Sequence, residues 1–337
     1  MKKTLLALAV LAAAGSAQAG IEIYNNEGVT VNLKGDIEIT YQNSTSSASM
    51  SQQIEDADFG FDVRYAMNDQ VSIGAYWEFN GSDSNNATVT KNGDNYVALY
   101  TADFGSIKFG RLCTAIDDIG IGNDYQFGIN SFFDKNTFEC QDEAVRYDYD
   151  NGMFYATLGY VQNKLNDGST DYTKGGNTDI ATNQGSEADY IDGYLGARFA
   201  GFDAKVILAD YDNDNDAAPL SSSLLGLEVA YSGVENLNLS VGYYSADKDQ
   251  AGSNKDNDTW ALAADYTLGK VVLGAGYSQS EFDASDKEQT NSFVNAAYKV
   301  LPAVKVYGEV AKRELSGTGV TAFTNENLAA VGVTASF

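Results

Sequence analysis

The residues of this chain that could do chemistry are its carboxylates, because histidine is absent. The 337 residues include 47 aspartates and glutamates against 21 lysines and arginines, for a formal charge of −26. Without histidine the chain cannot build a Ser-His-Asp triad, a Cys-His pair or the usual zinc ligand sets. Neither a Gly-x-Ser-x-Gly sequence nor a phosphate-binding loop is present. The carboxylates are too numerous for any pair to stand out as catalytic, and we predict neither enzymatic activity nor a cofactor.

The densest group of carboxylates, Asp210–Asp216, invites comparison with a calcium-binding loop. An EF-hand loop needs glycine at its sixth position and glutamate at its twelfth. Those positions hold Asn215 and Ser221 here, so the run is predicted to be a solvated loop rather than a metal site. An acidic chain of this kind attracts cations and not nucleic acid.

The first nineteen residues have the three parts of a secretory signal peptide. Lys2 and Lys3 form a basic start, Leu5–Ala14 form a short apolar run, and Ala17–Ala19 supply small residues for cleavage. The apolar run is too short to span a bilayer as a helix. We therefore predict a signal peptide at 1–19 and a single domain at 20–337.

Most of that domain consists of segments in which apolar and polar residues alternate, as they do in β-strands. The segment from Val29 to Gln42 is the clearest, with apolar side chains on its odd positions and polar ones on its even positions. The same pattern recurs through the chain and predicts sixteen strands. The last strand is Asn327–Phe337, and it is predicted to close a barrel.

The connections between these strands alternate between short turns and long polar loops, which is typical of an outer-membrane β-barrel. A pair of secreted β-sandwich domains would also explain the strands and the signal peptide, but it would not explain the alternating loop lengths. Aromatic residues at strand ends suit the two membrane interfaces; they are Tyr41, Tyr65, Trp77, Tyr160, Tyr211, Tyr243, Tyr277 and Phe337. The predicted fold is therefore an all-β, 16-stranded antiparallel transmembrane barrel.

Three segments resemble the Gram-negative general diffusion porins. They are Ile21–Leu33 at the start of the domain, Ala102–Arg111 at one third of its length, and Ala329–Phe337 at its end. The resemblance implies a homotrimer of barrels in the bacterial outer membrane, surrounded by lipid and lipopolysaccharide. It also implies a third loop folded inward to narrow each pore, and passive diffusion of small hydrophilic solutes and ions.

In this chain the third loop corresponds to Leu112–Glu143, which is strongly acidic. Within the resemblance, Arg111 matches one arginine of the wall that faces the loop, and Gln126 matches a position that is acidic in well-known members. Two further arginine positions fall on Asp58 and Asp148, and the nearby Arg64 and Arg146 could take over part of their role. The predicted pore constriction is therefore formed by Asp117, Asp118, Asp124 and Asp134 from the loop, with Arg111, Arg64, Arg146, Asp58 and Asp148 from the wall. This charge balance predicts a preference for cations.

The two cysteines, Cys113 and Cys140, flank this loop in a chain predicted to pass through the oxidising periplasm, which favours a disulfide over two buried free thiols. A metal site is not expected, because two thiols without histidine are a poor ligand set. A substrate-specific oligosaccharide channel remains the alternative function, with loop aromatics as the sugar-binding surface. Those aromatics are Phe127, Phe132, Phe133 and Phe138. A structural barrel without conductance is a further alternative.

Overall fold

The computed structural model describes ten stretches of the chain. They are residues 20–44, 47–81, 91–129, 140–163, 188–213, 220–250, 253–254, 256–283, 287–317 and 326–337. The predicted signal peptide lies outside the described residues, and so do Asp134, Phe132, Phe133 and Phe138. No helix in the described stretches is both long enough and apolar enough to cross a membrane.

The described residues are almost entirely β-strands. The strands are β1 (Ile21–Asn26), β2 (Val29–Ser44), β3 (Ser47–Asn68), β4 (Val71–Asn80), β5 (Lys91–Thr101), β6 (Gly105–Cys113), β7 (Cys140–Asp150), β8 (Phe154–Asn163), β9 (Ala188–Phe199), β10 (Phe202–Asn213), β11 (Leu220–Val234), β12 (Leu237–Gln250), β13 (Ser253–Asn254), β14 (Asn257–Leu268), β15 (Val271–Phe282), β16 (Lys287–Leu301), β17 (Val304–Gly317) and β18 (Glu326–Ser336). One short 3₁₀ turn, Ala115–Asp118, follows β6.

Sixteen of these strands form a closed antiparallel ring, as predicted. Each strand pairs with its neighbours in the chain, β12 pairs with β14 across the two-residue β13, and β18 returns to pair with β2. Backbone hydrogen bonds between Gly35 and Phe337, at 2.8 and 2.9 Å, complete the closure. Closure leaves no open edge in the ring, which is what allows a sheet to sit in a membrane.

The strand β1 is an addition that the sequence pattern did not reveal. It pairs with β2 from Ile21↔Leu33 to Asn26↔Val29, whereas β18 pairs with the remainder of β2 from Ser336↔Asp36 to Ala330↔Gln42. The two strands therefore share one edge of β2. Because β1 has only six residues, its alternation was too short to be read as a strand.

Alternate residues on each strand lie on two different faces, which we call the apolar face and the polar face. On β10, Val206 and Leu208 are 45% and 60% exposed, whereas Ile207 between them is 1% exposed. Large exposed side chains such as these recur on the apolar face all round the ring. An exposed apolar band of this kind is expected where strands face acyl chains.

The assignment of Tyr211 to an interfacial aromatic belt was wrong. Tyr211 lies on the opposite face from Leu208 and is only 8% exposed. It belongs to a buried cluster with Ile207, Leu224 and Tyr244. The sequence prediction failed because a tyrosine near the end of a strand suits both a membrane interface and a buried cluster on the polar face.

Tight two-residue turns join many strands at one end of the barrel, as predicted. Ala200 and Gly201 link β9 to β10, and both have positive φ angles of 52° and 85°. Glycine adopts this conformation without strain, whereas alanine does so at some cost. These turns hold neighbouring strands in register and so fix which side chains lie on the polar face.

Candidate constriction site

The segment Thr114–Ile129, which we call the third-loop segment, is held against the polar face at three places. These places lie on β9, on β11, and on β16 and β17. Only β10 separates β9 from β11, whereas β16 and β17 lie several strands further round the ring. The prediction placed the loop at Leu112–Glu143, but β6 continues to Cys113 and β7 begins at Cys140.

A disulfide joins Cys113 and Cys140 at the start of the segment, as predicted. The two residues are direct cross-strand partners on β6 and β7. Beyond the disulfide, the backbone N–H groups of Ala115 and Ile116 donate to the Asp192 carboxylate at 3.2 and 2.7 Å. A carboxylate at this position satisfies N–H groups that the short 3₁₀ turn leaves without partners.

Apolar packing supports the start of the segment. Leu112, Ile116 and Ile119 are at most 5% exposed and share a cluster with Ile207 and Tyr244. Burying one such aliphatic side chain contributes about 1.5–3 kcal/mol. The apolar residues on the polar face of β10 and β12 therefore serve to seat the loop.

The middle of the segment is fixed by Glu228 of β11. The Gly120 N–H donates to Glu228 Oε1 at 2.6 Å, and the Tyr244 hydroxyl donates to the same oxygen at 2.9 Å. Lys205 Nζ lies 2.8 Å from Glu228 Oε2. The Glu228 carboxylate therefore has one partner on the third-loop segment and two partners on the strands of the barrel.

The tip of the segment is fixed by Glu309 of β17, which is 2% exposed. Its carboxylate accepts hydrogen bonds from the backbone N–H groups of Tyr125, Gln126 and Phe127 at 2.8, 2.9 and 2.6 Å. Asn295 Nδ2 donates to the Asn123 carbonyl at 2.6 Å. Hydrogen bonds to a charged carboxylate are about twice as strong as those between neutral groups, so three of them hold the tip firmly.

Gln126 occupies a position at which the resemblance would place an acidic residue. Its neighbours explain why an amide is found there. Gln126 Nε2 donates to Glu38 Oε1 at 3.1 Å and to the Tyr307 hydroxyl oxygen at 3.0 Å. A carboxylate at position 126 would have no proton to donate to Glu38, and the two negative charges would repel each other.

The Tyr125 ring stacks on Tyr307 with centroids 4.1 Å apart. Burial, helped by the nearby Glu309, raises the pKa of Tyr125 to about 12, so its hydroxyl stays protonated.

Of the predicted wall residues, Arg146 contacts the third-loop segment directly, and Asp148 is connected to the segment through Arg146. Arg146 Nε lies 2.8 Å from Asp148, and its Nη1 donates to the Cys113 and Thr114 carbonyls at 3.1 and 3.0 Å. Its Nη2 forms an ion pair with Asp118. Arg146 therefore links the wall to the loop and partly neutralises two of the predicted acids.

The other predicted wall residues make their hydrogen bonds and ion pairs elsewhere. Arg64 is held by Asp62 at 2.9 Å and lies 3.7 Å above the Tyr100 ring. Arg111 lies 3.2 Å from Asp142 on β7. Asp58 accepts a hydrogen bond from Asn80 at 3.2 Å and is paired across the strands with Asp36. These contacts do not decide whether Arg64, Arg111 and Asp58 line the constriction, and Asp134 lies outside the described residues, so the nine-residue constriction stays a prediction.

The remaining predicted loop residues lie at the two ends of the segment. The Asp117 carboxylate lies within 4.8 Å of the sulfur atoms of Cys113 and Cys140. Asp124 lies beside Gly128 at the tip. Phe127 is 7% exposed and belongs to a buried cluster with Phe293. It anchors the segment and does not offer a surface to a sugar.

Sequence reasoning missed the carboxylates and amides that hold the segment. Asp192, Glu228 and Glu309 are isolated acids on strands. Asn295 and Asn291 are isolated amides, and Asn291 Nδ2 donates to the Phe127 carbonyl at 2.8 Å. The sequence did show, from the alternation along each strand, that these residues lie on the polar face. That signal marks the face but gives no reason to connect these residues with a loop many strands away.

A closed ring of sixteen antiparallel strands with an exposed apolar band defines a β-barrel protein of the bacterial outer membrane. A family profile described as "Gram-negative porin" matches residues 4–318. Porin-like protein H of Photobacterium profundum is 30% identical, with 93% of this chain and 95% of that protein covered. The chain belongs to the Gram-negative porin family; it is a channel-family protein of the outer membrane and not an enzyme.

Solved structures agree with the fold at lower sequence identity. OmpT of Vibrio cholerae, solved in a trimer form, has a TM-score of 0.73 and 19% identity and covers 92% of this chain and 100% of its own. An anion-selective porin from Comamonas acidovorans has a TM-score of 0.71 and 16% identity, with the same coverage. Outer membrane protein U of Vibrio parahaemolyticus is a further relative at 26% identity, covering 91% of this chain and 88% of that protein.

Proposed function

We propose that this barrel is a water-filled channel for passive diffusion of small hydrophilic solutes and ions, narrowed by the third-loop segment. The observation that carries the proposal is the set of hydrogen bonds that hold this segment against the polar face of the barrel. It contacts Asp192 on β9, Glu228 on β11 and Glu309 on β17, and all three lie on the face opposite the exposed apolar band. A sixteen-stranded barrel is wide enough to leave an aqueous channel, and a loop seated on its inner wall reduces that width.

We further propose that the channel prefers cations. The acidic loop residues Asp117, Asp118 and Asp124 support this, together with the chain's formal charge of −26. The positive side chains nearby are partly neutralised, because Arg146 pairs with Asp118 and Asp148, and Lys205 pairs with Glu228. Two unit charges about 4 Å apart interact by about 1 kcal/mol in water and by about 4 kcal/mol at an effective dielectric near 20. A few excess acids are therefore enough for selectivity.

We also propose a homotrimer surrounded by outer-membrane lipid and lipopolysaccharide. The trimer form described for OmpT supports the assembly. The exposed apolar band supports the lipid contact. Cross-linking of the protein in detergent, followed by denaturing electrophoresis, would reveal the trimer as a band of three times the monomer mass. A monomer alone at all cross-linker concentrations would contradict the assembly.

Selectivity is tested by the reversal potential of the purified channel in a planar bilayer under a potassium chloride gradient. We expect ohmic single-channel steps. We also expect a reversal potential with the sign that results when potassium permeates faster than chloride. Arg146→Gln removes a positive charge beside two acids and is expected to raise the cation-to-anion permeability ratio about fivefold. Lys270→Gln in the turn before β15 is the matched control and should leave the ratio unchanged. An anion preference of the unaltered channel would overturn the proposed selectivity.

A further inference from the structure

A cavity of about 750 Å³ lies beside the third-loop segment. Gly120, Ile121 and Gly122 of the segment form one side of it, and the polar face of strands β5 to β12 forms the rest. Sites for small molecules commonly have volumes of about 300–1,000 Å³. The cavity therefore has room for a solute of one or two sugar rings.

Two tyrosines line this cavity, which we call the tyrosine cavity; Tyr194 offers its ring to the cavity, and Tyr155, which is 8% exposed, packs against Tyr194. The rings of Tyr155 and Tyr194 meet edge to face with centroids 5.9 Å apart. If Gly196 on β9 carried a side chain, its Cβ atom would lie 2.0 Å from the Tyr155 ring. The Tyr155 ring therefore lies close against the backbone at Gly196. Tyr194 is only partly buried. A rigid aromatic ring offers contact area to a ligand at little cost in side-chain entropy.

The charged groups around these rings are held in place by one another. Arg198 lies 4.0 Å above the Tyr155 ring and is paired with Asp150 at 2.8 Å and Asp203 at 3.0 Å. Lys205 is paired with Glu228 at 2.8 Å and lies 5.2 Å from the centre of the Tyr194 ring. Both cations of the cavity are therefore already neutralised by carboxylates.

This arrangement suits a neutral solute with many hydroxyl groups better than an ion. An entering ion would compete with existing ion pairs for its partner. A hydroxyl group can instead donate to the lone pairs that a paired carboxylate such as Asp203 still has, and accept from other guanidinium protons of Arg198. A sugar ring also has an apolar face that can lie on Tyr194. Aromatic side chains with a few fixed polar groups are the usual composition of a small-molecule site.

We propose that the tyrosine cavity is a weak binding site for neutral saccharides on the diffusion path, formed by Tyr194, Arg198 and Asp203, with the buried Tyr155 holding the Tyr194 ring in place. This inference rests on the proposed channel function and adds a preferred solute class to it. The site differs from the sequence prediction, which placed the sugar-binding surface on loop phenylalanines. Phe127, the described member of that set, is buried.

The test measures single-channel conductance while sucrose is added, with a polyethylene glycol of matched hydrodynamic radius as a control. A bound sugar obstructs ions, so the fall in conductance should saturate, with half saturation in the millimolar range. The glycol only fills space and raises viscosity, so its effect should not saturate. Equal, non-saturating effects of sucrose and glycol would overturn the binding site while the conductance steps still support a channel. Absence of any conductance would overturn the channel proposal itself.

Paired variants locate the site. Tyr194→Leu removes the ring and is expected to raise the half-saturating sucrose concentration about threefold to tenfold. Tyr194→Phe keeps the ring and should stay close to the unaltered value. Tyr76→Leu removes a tyrosine on β4, outside the cavity, and should have no effect on sucrose. An unchanged half-saturating concentration in Tyr194→Leu would overturn the assignment to this cavity.

Discussion

Replacing Glu309 with alanine is expected to release the tip of the third-loop segment and to make the channel current larger and unstable. The carboxylate accepts three backbone N–H groups, from Tyr125, Gln126 and Phe127, and it is almost fully buried. A hydrogen bond to a charged group contributes about 1.5–3 kcal/mol. A loss of only about 3 kcal/mol would raise the population of the detached tip about a hundredfold.

Single-channel recording measures this effect as open-channel noise and as the frequency of steps to a higher conductance level. Glu309→Gln keeps the shape of the side chain but removes its charge and one acceptor oxygen, so an intermediate effect is expected. Glu78→Ala is the matched control, because Glu78 is also a polar-face carboxylate but accepts its hydrogen bonds from Tyr76 and Asp94 on the wall. Quiet currents of unaltered size in Glu309→Ala would show that this carboxylate does not restrain the loop.

The sequence was sufficient for the ring because each strand carries its own evidence. In β2, the alternation of Val29, Val31 and Leu33 with Thr30 and Asn32 defines both the strand and its faces without reference to any other part of the chain. Local alternation in most strands, together with short turns that alternate with long polar loops, leaves few arrangements other than a barrel. The same reasoning could not give the bounds of β3, which starts at Ser47 although its clear alternation starts only at Asp58.

The loop contacts were not predictable, because they join residues that are distant in sequence. Gln126 and Glu309 are 183 positions apart, and nothing in the residues around either one refers to the other. Tyr211 shows the reverse problem. Its type suits both a membrane interface and the buried cluster that seats the loop, and only the three-dimensional path of the loop distinguishes the two.

The predicted constriction stays a prediction, but one contact among its residues could have been read from a single strand. Arg146 and Asp148 are two residues apart on β7 and share the polar face, so their ion pair follows from the strand pattern. Their contact with Asp118 depends on the fold of the segment after Cys113, which the 3₁₀ turn Ala115–Asp118 sets. Arg64 shares the same face but is several strands away, where Asp62 and Tyr100 hold it.

Removing the disulfide by replacing Cys113 and Cys140 with serine is expected to lower the free energy of unfolding by about 3–4 kcal/mol. The bridge closes a loop of 27 positions, and in the entropic account a loop of this size restricts the unfolded chain by that amount. The expected effect on the folded channel is small. Asp192, Glu228 and Glu309 hold the start, middle and tip of the third-loop segment independently of the sulfurs.

Urea unfolding of the protein in detergent measures the first effect, and single-channel conductance measures the second. The unaltered protein treated with a reductant before unfolding should match the double-serine variant, because both lack the cross-link in the unfolded state. Combining the double-serine variant with Glu309→Ala separates the two restraints. If the disulfide acts mainly on the unfolded chain, it adds to the loss of stability but not to the current noise. A double-serine variant whose current is already as noisy as that of Glu309→Ala would instead show that the disulfide positions the loop in the folded channel.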